Sequence, residues 1–115
     1  MRRGEVRMVD LEPARGTEAN KRRPAVIVSN DAANSAAARL DRGVLTVVPI
    51  ASSVERVYPF QVLLPAGAGG LPQDSKAQAE QVRSLAAERI GEQLGRLPDQ
   101  LMASLDDALR LHLAL

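Results

Sequence analysis

Cysteine and tryptophan are both absent from this chain of 115 residues. Without a thiol the chain can form no disulfide, present no thiolate nucleophile and build no cysteine-based zinc site. We therefore expect a protein suited to a reducing compartment, the cytoplasm. The charged N-terminus is followed by no long apolar run, so neither a secretory signal nor a membrane-spanning segment is predicted.

Aromatic rings and imidazoles are scarce. Tyr58 and Phe60 are the two aromatic residues, and His112 is the single histidine. Base stacking normally uses several aromatic rings, so we interpret Tyr58 and Phe60 as core or subunit-interface residues. A mechanism that needs two histidines cannot be assembled within one subunit, and His112 is expected at a helix surface or helix end.

Motifs for metals and phosphate-binding loops are lacking as well. Histidine, aspartate and glutamate show no convincing metal-ligand spacing, and the glycines from Gly67 to Gly70 lack the Gly-Lys-Ser/Thr signature. We expect no metal and no other cofactor. Thirteen of the fifteen basic residues are arginine, and seven of the fifteen precede Pro24. Because the planar guanidinium fits phosphate oxygens, this bias is compatible with polyanion binding, although a solvated mixed-charge surface explains it equally well.

The apolar pattern predicts several strands followed by one helix. The predicted strands are Glu5–Leu11, with a bulge because its apolar residues change phase, then Pro24–Ser29, Val44–Ala51, Phe60–Leu64, Lys76–Val82 and Gly91–Leu97. Glu12–Arg23 is predicted as an exposed loop, Asn30–Arg42 as a helical turn or a loop, and Ala66–Pro72 as a glycine-rich turn. Pro49 belongs at an edge or bulge, since proline cannot donate to a strand ladder.

The C-terminal segment carries leucines every four residues, which predicts an amphipathic helix over Asp99–Leu113. Strands without βαβ alternation, followed by one terminal helix, indicate a mainly β fold: a small antiparallel barrel or sheet with the helix packed across it. The length suits a single domain spanning residues 1–115.

Six stretches in a fixed order resemble the MazF/PemK family of toxins. They are Arg3-Gly4-Glu5, Val9-Asp10-Leu11-Glu12-Pro13, Gly16-Thr17-Glu18, Arg23-Pro24-Ala25-Val26-Ile27-Val28-Ser29-Asn30-Asp31, Tyr58-Pro59-Phe60-Gln61-Val62 and Ala79-Glu80-Gln81-Val82-Arg83-Ser84. The resemblance covers essentially the whole chain. It implies an SH3-like antiparallel β-barrel with a C-terminal α-helix, assembled as a homodimer.

The resemblance also implies an activity and partners. MazF-like proteins are sequence-specific, metal-independent endoribonucleases that cut single-stranded RNA by attack of its own 2′-hydroxyl, and a cognate MazE-like antitoxin inhibits them through an acidic C-terminal segment. No protein nucleophile is required, but charge on the phosphorane must be stabilised and two protons must move.

Arg23 matches the catalytic arginine of the family. It directly precedes Pro24 at the start of a predicted buried strand, so its backbone is held while its side chain can reach an open face. A guanidinium stays protonated at neutral pH, so stabilising the transition state or donating a proton to the leaving oxygen suits it better than acting as a base. Without the resemblance, a surface arginine beside Lys21 and Arg22 is the simpler interpretation.

The second catalytic position of the family is a threonine, and this chain has Ala51 there, followed by Ser52 and Ser53. Alanine supplies no hydroxyl. In a regular strand Ala51 and Ser52 point to opposite faces, but a bulge caused by Pro49 would rotate Ser52 into the site. We hypothesise that Ser52 replaces the threonine.

Four further residues are candidate RNA contacts by resemblance: Glu18 and Asn20 in the first loop, and Gln81 and Arg83 near the last conserved stretch. Arg83 pairing with Glu80 is an equally good interpretation of that residue. Two other functions remain open: a CcdB-like toxin that shares the barrel but binds DNA gyrase, and a non-catalytic SH3-like binding module.

Overall fold

The computed structural model describes residues 1–11, 22–40 and 42–115. These residues form seven strands and two α-helices, together with 3-10 turns at Ala68–Gly70, Ala79–Gln81 and Ala87–Arg89. The strands and helices are β1 (Glu5–Asp10), β2 (Arg22–Ile27), α1 (Asp31–Arg39), β3 (Val44–Ala51), β4 (Gln61–Leu64), β5 (Ser75–Gln78), β6 (Arg83–Ala86), β7 (Ile90–Arg96) and α2 (Asp99–Leu113).

The strands form one antiparallel sheet in the order β4-β5-β3-β2-β1-β7, and β6 also pairs with β3. This confirms the prediction of a mainly antiparallel sheet with a C-terminal helix. Among the described residues the strand pairings follow an open path from β4 to β7. They do not close the sheet into a barrel.

Two elements begin and end where the sequence predicts, namely β3 and α2. The alanine-rich segment is a helix rather than a loop: the Asn30 side chain caps α1 by accepting a hydrogen bond of 2.8 Å from the backbone N–H of Ala33. The single strand predicted over Lys76–Val82 is wrong, because β5 ends at Gln78 and a 3-10 turn follows. The strand β6 was not predicted.

The second strand begins earlier than predicted. Glu12–Lys21, most of the predicted first loop, lies outside the described residues. Arg22 and Arg23 are not loop residues but the first residues of β2, where they pair with Asp10 and Val9 of β1. The hydrogen-bonding partner supplied by β1 extends the strand beyond the apolar run that marks it in the sequence.

The predicted irregularity of β1 is present on the side that pairs with β7. The register shifts between Val6 and Arg7 and again between Arg7 and Val9. Val6 and Val9 are both fully buried, Val6 in one hydrophobic cluster and Val9 in the other. Because side chains alternate between the two faces of a strand, these two residues, three positions apart, supply both clusters.

The two hydrophobic clusters lie on opposite faces of the sheet. The larger one packs β-strand residues against Met102, Leu105 and Ala108 of α2, and Leu101 and Leu109 are partly buried beside them. The predicted apolar stripe of that helix is thus confirmed except at its last leucine, Leu113, which is 49% exposed. The smaller one includes Ala37 of α1. Because α1 and α2 cover different faces, β2 and β3 are buried on both sides, and the positions that remain open are the strand ends.

Pro49 lies inside β3 but at a change of partner. Residues 44–47 of β3 pair with β6 on one side, and Ile50 and Ala51 pair with β5 on that same side. Pro49 falls between these two segments, while β2 pairs along the opposite edge. The missing N–H of proline is tolerated there because one neighbour has ended and the next has just begun.

Candidate active site

A cleft of about 270 Å³ opens where β2 begins and β3 ends. Arg23 and Pro24 line it from β2, and Ile50, Ala51 and Ser52 line it from the end of β3. The segment that leads into β5 forms the remaining wall with Leu71, Pro72, Gln73 and Ser75. Most of the lining residues are thus apolar, and the polar ones are Arg23, Ser52, Gln73 and Ser75.

The strand register explains why these residues meet. In the antiparallel pair of β2 and β3, Ala25 lies opposite Pro49. Continuing this register by two residues brings Arg23 beside Ala51. On the other edge of β3, Ala51 pairs with Lys76 of β5, which places Ser75 and the segment before it next to the same strand end.

The Arg23 side chain is exposed and lies in this cleft. No hydrogen bond or ion pair joins its guanidinium to another residue of the described ranges. Its neighbour Arg22 lines a separate hollow with Asp10, Glu88 and Arg89, as expected from the alternation of side chains along a strand. Arg23 therefore presents an open cation to the cleft.

Ala51 and Ser52 line the same cleft, contrary to the expectation for two neighbours in a regular strand. The reason is that β3 ends at Ala51, so Ser52 sits in the bend that follows and is released from the alternation. Ser52 is exposed. The strand end, rather than a bulge at Pro49, brings Ser52 to the cleft that Arg23 also lines.

The other predicted contacts are not in the cleft. Gln81 is exposed in the 3-10 turn before β6, and Arg83 is exposed in β6 opposite Val47. Neither lines the Arg23 cleft. Glu80 does not pair with Arg83 within the described structure; its Oε2 accepts a hydrogen bond of 2.7 Å from Nε2 of Gln61. Glu18 and Asn20 lie outside the described residues.

Gln73 and Ser75 line the cleft without having been predicted. Ser75 is buried, and its hydroxyl donates a 2.9 Å hydrogen bond to the backbone carbonyl of Gln73. Gln73 is exposed. The sequence held one usable signal: both residues flank Asp74 just after a glycine-rich turn, where a loop returns to the sheet.

The two aromatic residues stack on each other outside the core. Their ring centroids are 5.3 Å apart, and the guanidinium carbon of Arg56 lies 5.7 Å from the centre of the Tyr58 ring. Tyr58 is 41% exposed, so of its two predicted places, core or subunit interface, the core is wrong and the subunit interface stays a prediction. His112 is exposed in the last turn of α2, as predicted.

Two features are absent from the described residues. These residues contain no group of three or more histidine, aspartate or glutamate side chains arranged to hold a metal ion. Within the same ranges, neither helix is long and apolar enough to span a membrane.

Residues 2–113 match the family model described as PemK-like, MazF-like toxin of type II toxin-antitoxin system. The chain belongs to this family. It is 61% identical over 115 residues to endoribonuclease MazF9 of Mycobacterium tuberculosis, covering 100% of this chain and 98% of that protein. It is 30% identical over 115 residues to endoribonuclease EndoA of Bacillus subtilis, covering 100% and 96%.

A solved structure agrees with the family assignment. The crystal structure of MazE-MazF, Form-II, from Deinococcus radiodurans superposes with a TM-score of 0.80 at 28% identity, covering 100% of this chain and 96% of that chain. Membership of the MazF family thus rests on sequence and on fold. A CcdB-like function is not favoured by these relatives.

Proposed function

We propose that this MazF-family toxin is a sequence-specific endoribonuclease that cleaves single-stranded RNA without a metal ion. The observation that carries the proposal is the open cleft that two exposed residues, Arg23 and Ser52, both line. The endoribonuclease names of two relatives that align over the whole chain support it.

The proposed reaction uses the 2′-hydroxyl of the substrate as nucleophile. Its oxygen forms a bond to the adjacent phosphorus, the bond from phosphorus to the 5′-oxygen breaks, and the products are a 2′,3′-cyclic phosphate and a 5′-hydroxyl. The proton of the 2′-hydroxyl passes to water, and the 5′-oxygen takes a proton from Arg23, which water then reprotonates. In this proposal Arg23 stabilises the extra negative charge on the pentacoordinate phosphorus and donates the proton to the leaving oxygen.

We propose that Ser52 supplies the hydroxyl that the family threonine provides, because Ala51, which occupies the threonine position, has none. A serine hydroxyl can both donate and accept a hydrogen bond, so it can contact a phosphate oxygen or pass a proton. Its position in the bend after β3, facing the same cleft as Arg23, supports this role.

The remaining RNA contacts are proposed from the family alone. Gln81 and Arg83 are exposed at the edge of the sheet, where they can bind the strand as it leaves the cleft. Glu18 and Asn20 are proposed to contact a base or the ribose. Because single-stranded RNA exposes its base edges, hydrogen bonds from such groups provide sequence specificity.

The proposed partners are a MazE-like antitoxin and a second copy of the chain. The family is that of toxin-antitoxin systems, and the cation of Arg23 is open to an acidic segment as well as to RNA. For the homodimer, Leu63 of β4 and Leu111 of α2 are 48% and 57% exposed and line one groove, where a second subunit would remove them from water.

We propose one domain over residues 1–115, an SH3-like barrel and action in the cytoplasm.

Incubating the purified protein with a long single-stranded RNA in EDTA tests the function. We expect cleavage at a restricted set of sequences, with 5′-hydroxyl and cyclic phosphate ends. Cleavage that disappears in EDTA and returns with Mg²⁺ contradicts the metal-independent mechanism. Intact RNA together with inhibition of gyrase supercoiling would favour the CcdB-like function instead.

A further inference from the structure

The Gln73 side chain is a free amide on the wall of the Arg23 cleft. It is exposed, and no hydrogen bond links its amide group to another residue in the described part of the chain. Of the other polar groups in the cleft, the Ser75 hydroxyl is already bonded to a carbonyl, and Arg23 and Ser52 suit a phosphate. The Gln73 amide keeps its donor and its acceptor for a ligand.

The backbone around Gln73 is held in place although its side chain is free. Its own carbonyl accepts the Ser75 hydroxyl at 2.9 Å, and the carboxylate of Asp74 accepts a 2.8 Å hydrogen bond from the backbone N–H of Ala66. Leu71 is buried, and its carbonyl accepts the N–H of Gly67 at 2.7 Å. Because its backbone is held in this way, Gln73 keeps its position in the cleft wall when a ligand binds.

The rest of the cleft suits one nucleotide. Pro24 and Pro72 offer flat apolar surfaces beside Ile50 and Ala51. The volume of about 270 Å³ lies just below the range of small-molecule sites, roughly 300–1,000 Å³, and so limits the cleft to a small group such as one base. A base can lie against this surface with its edge toward the amide while its phosphate faces Arg23.

We propose that Gln73 determines sequence specificity by hydrogen bonding to the edge of the base next to the scissile phosphate. This inference rests on the proposed ribonuclease function, because it is Arg23 that fixes where the phosphate lies. An amide offers a donor and an acceptor side by side, as in the two-bond pairing of glutamine with adenine. In a cleft that fixes the direction of the base edge, a base is accepted when its own acceptor and donor meet the amide in matching order.

Three variants test the role of Gln73: Gln73→Ala, Gln73→Glu and the control Gln100→Ala on the exposed side of α2. A long RNA is cut by each protein, and the sequenced 5′ ends give the base frequencies around the cleavage site. We expect Gln73→Ala to lose discrimination on the order of 10-fold at a single position beside the cut. Gln73→Glu should enrich guanine there, since its N1–H and amino group both donate to a carboxylate.

The outcomes separate this inference from the proposed function. If the unaltered protein cuts no RNA, the ribonuclease proposal fails. If it cuts and both Gln73 variants keep the same preferences, the specificity role is overturned while the nuclease stands. Equal loss of cleavage on every sequence, in variants that keep the circular dichroism spectrum of the parent, also overturns it.

Discussion

Arg23 and Ser52 line one cleft, although α1 and the whole of β3 separate them along the chain. The antiparallel register of β2 and β3 brings the start of one strand to the end of the other. A cation and a hydroxyl at the rim of a mainly apolar cleft are the groups that a metal-free cleavage of a phosphodiester requires. The proposed chemistry depends on this juxtaposition.

Ser52→Ala should lower the cleavage rate by about 10-fold, the value of one lost hydrogen bond in the transition state. The matched control is Ser53→Ala, because Ser53 is exposed next in sequence but does not line the cleft. Rates under single-turnover conditions compare the two. A Ser52→Ala protein as fast as the Ser53→Ala protein would remove Ser52 from the mechanism.

Ala51→Thr should raise the cleavage rate by restoring the hydroxyl of the family at the end of β3. Ala51 lines the cleft and is only half-buried, so a larger side chain can be accommodated. Valine has nearly the shape of threonine but no hydroxyl. The Ala51→Val variant therefore separates the effect of the hydroxyl from the effect of a larger side chain. If both variants have the same rate, a hydroxyl at this position contributes nothing here.

Asp31→Asn should make the free energy of unfolding less dependent on pH in the acidic range. The backbone N–H of Arg3 donates a 2.7 Å hydrogen bond to Oδ1 of Asp31, and this contact lowers the pKa of that carboxyl below its ordinary value of 3.8. A lowered pKa in the folded state contributes stability that is present above pH 3.8 and is lost as the pH falls through the folded pKa.

Urea unfolding at pH 6 and at pH 3 measures this difference. We expect the parent to be more stable than Asp31→Asn at pH 6 and the gap to narrow at pH 3. Asp99→Asn, at the exposed start of α2, controls for loss of a carboxylate in the first turn of a helix. A gap that stays constant with pH would show that the Arg3 contact does not affect folding.

Gly70→Ala should destabilise the protein more than Gly67→Ala. Both glycines have positive φ, +79° and +94°, which costs an alanine roughly 1 kcal/mol or more. A Cβ on Gly70 would lie 2.1 Å from the carbonyl oxygen of Leu94, whereas a Cβ on Gly67 would meet nothing within 4 Å. Thermal unfolding compares them, and equal losses would contradict the close packing of this turn on β7.

The local elements were predictable because their signals are local. The β-branched run of β3 and the leucine repeat of α2 mark both ends of each element. The break between β5 and β6 was not predictable, since the alternation continues through it. That break exists because β3 pairs with β5 at one end and with β6 at the other.

The candidate site was predictable only through the family resemblance. Arg23 and Ser52 carry no distinguishing pattern of their own, and composition favoured a solvated surface for the arginine. The only signal for Gln73 was its place after the glycine-rich turn, because its position in the cleft depends on how the loop before β5 returns to the end of β3. Such contacts join distant parts of the chain, and periodicity does not report them.

The cleavage rate of Arg23→Ala, measured beside Arg39→Ala with the same RNA in EDTA, tests the central claim most directly. Arg39 is an exposed arginine in the last turn of α1, outside the cleft. We predict a loss of roughly 100- to 1,000-fold for Arg23→Ala, as expected when one transition-state stabiliser is removed, and a parental rate for Arg39→Ala. A folded Arg23→Ala protein that cuts RNA at the parental rate would contradict the account.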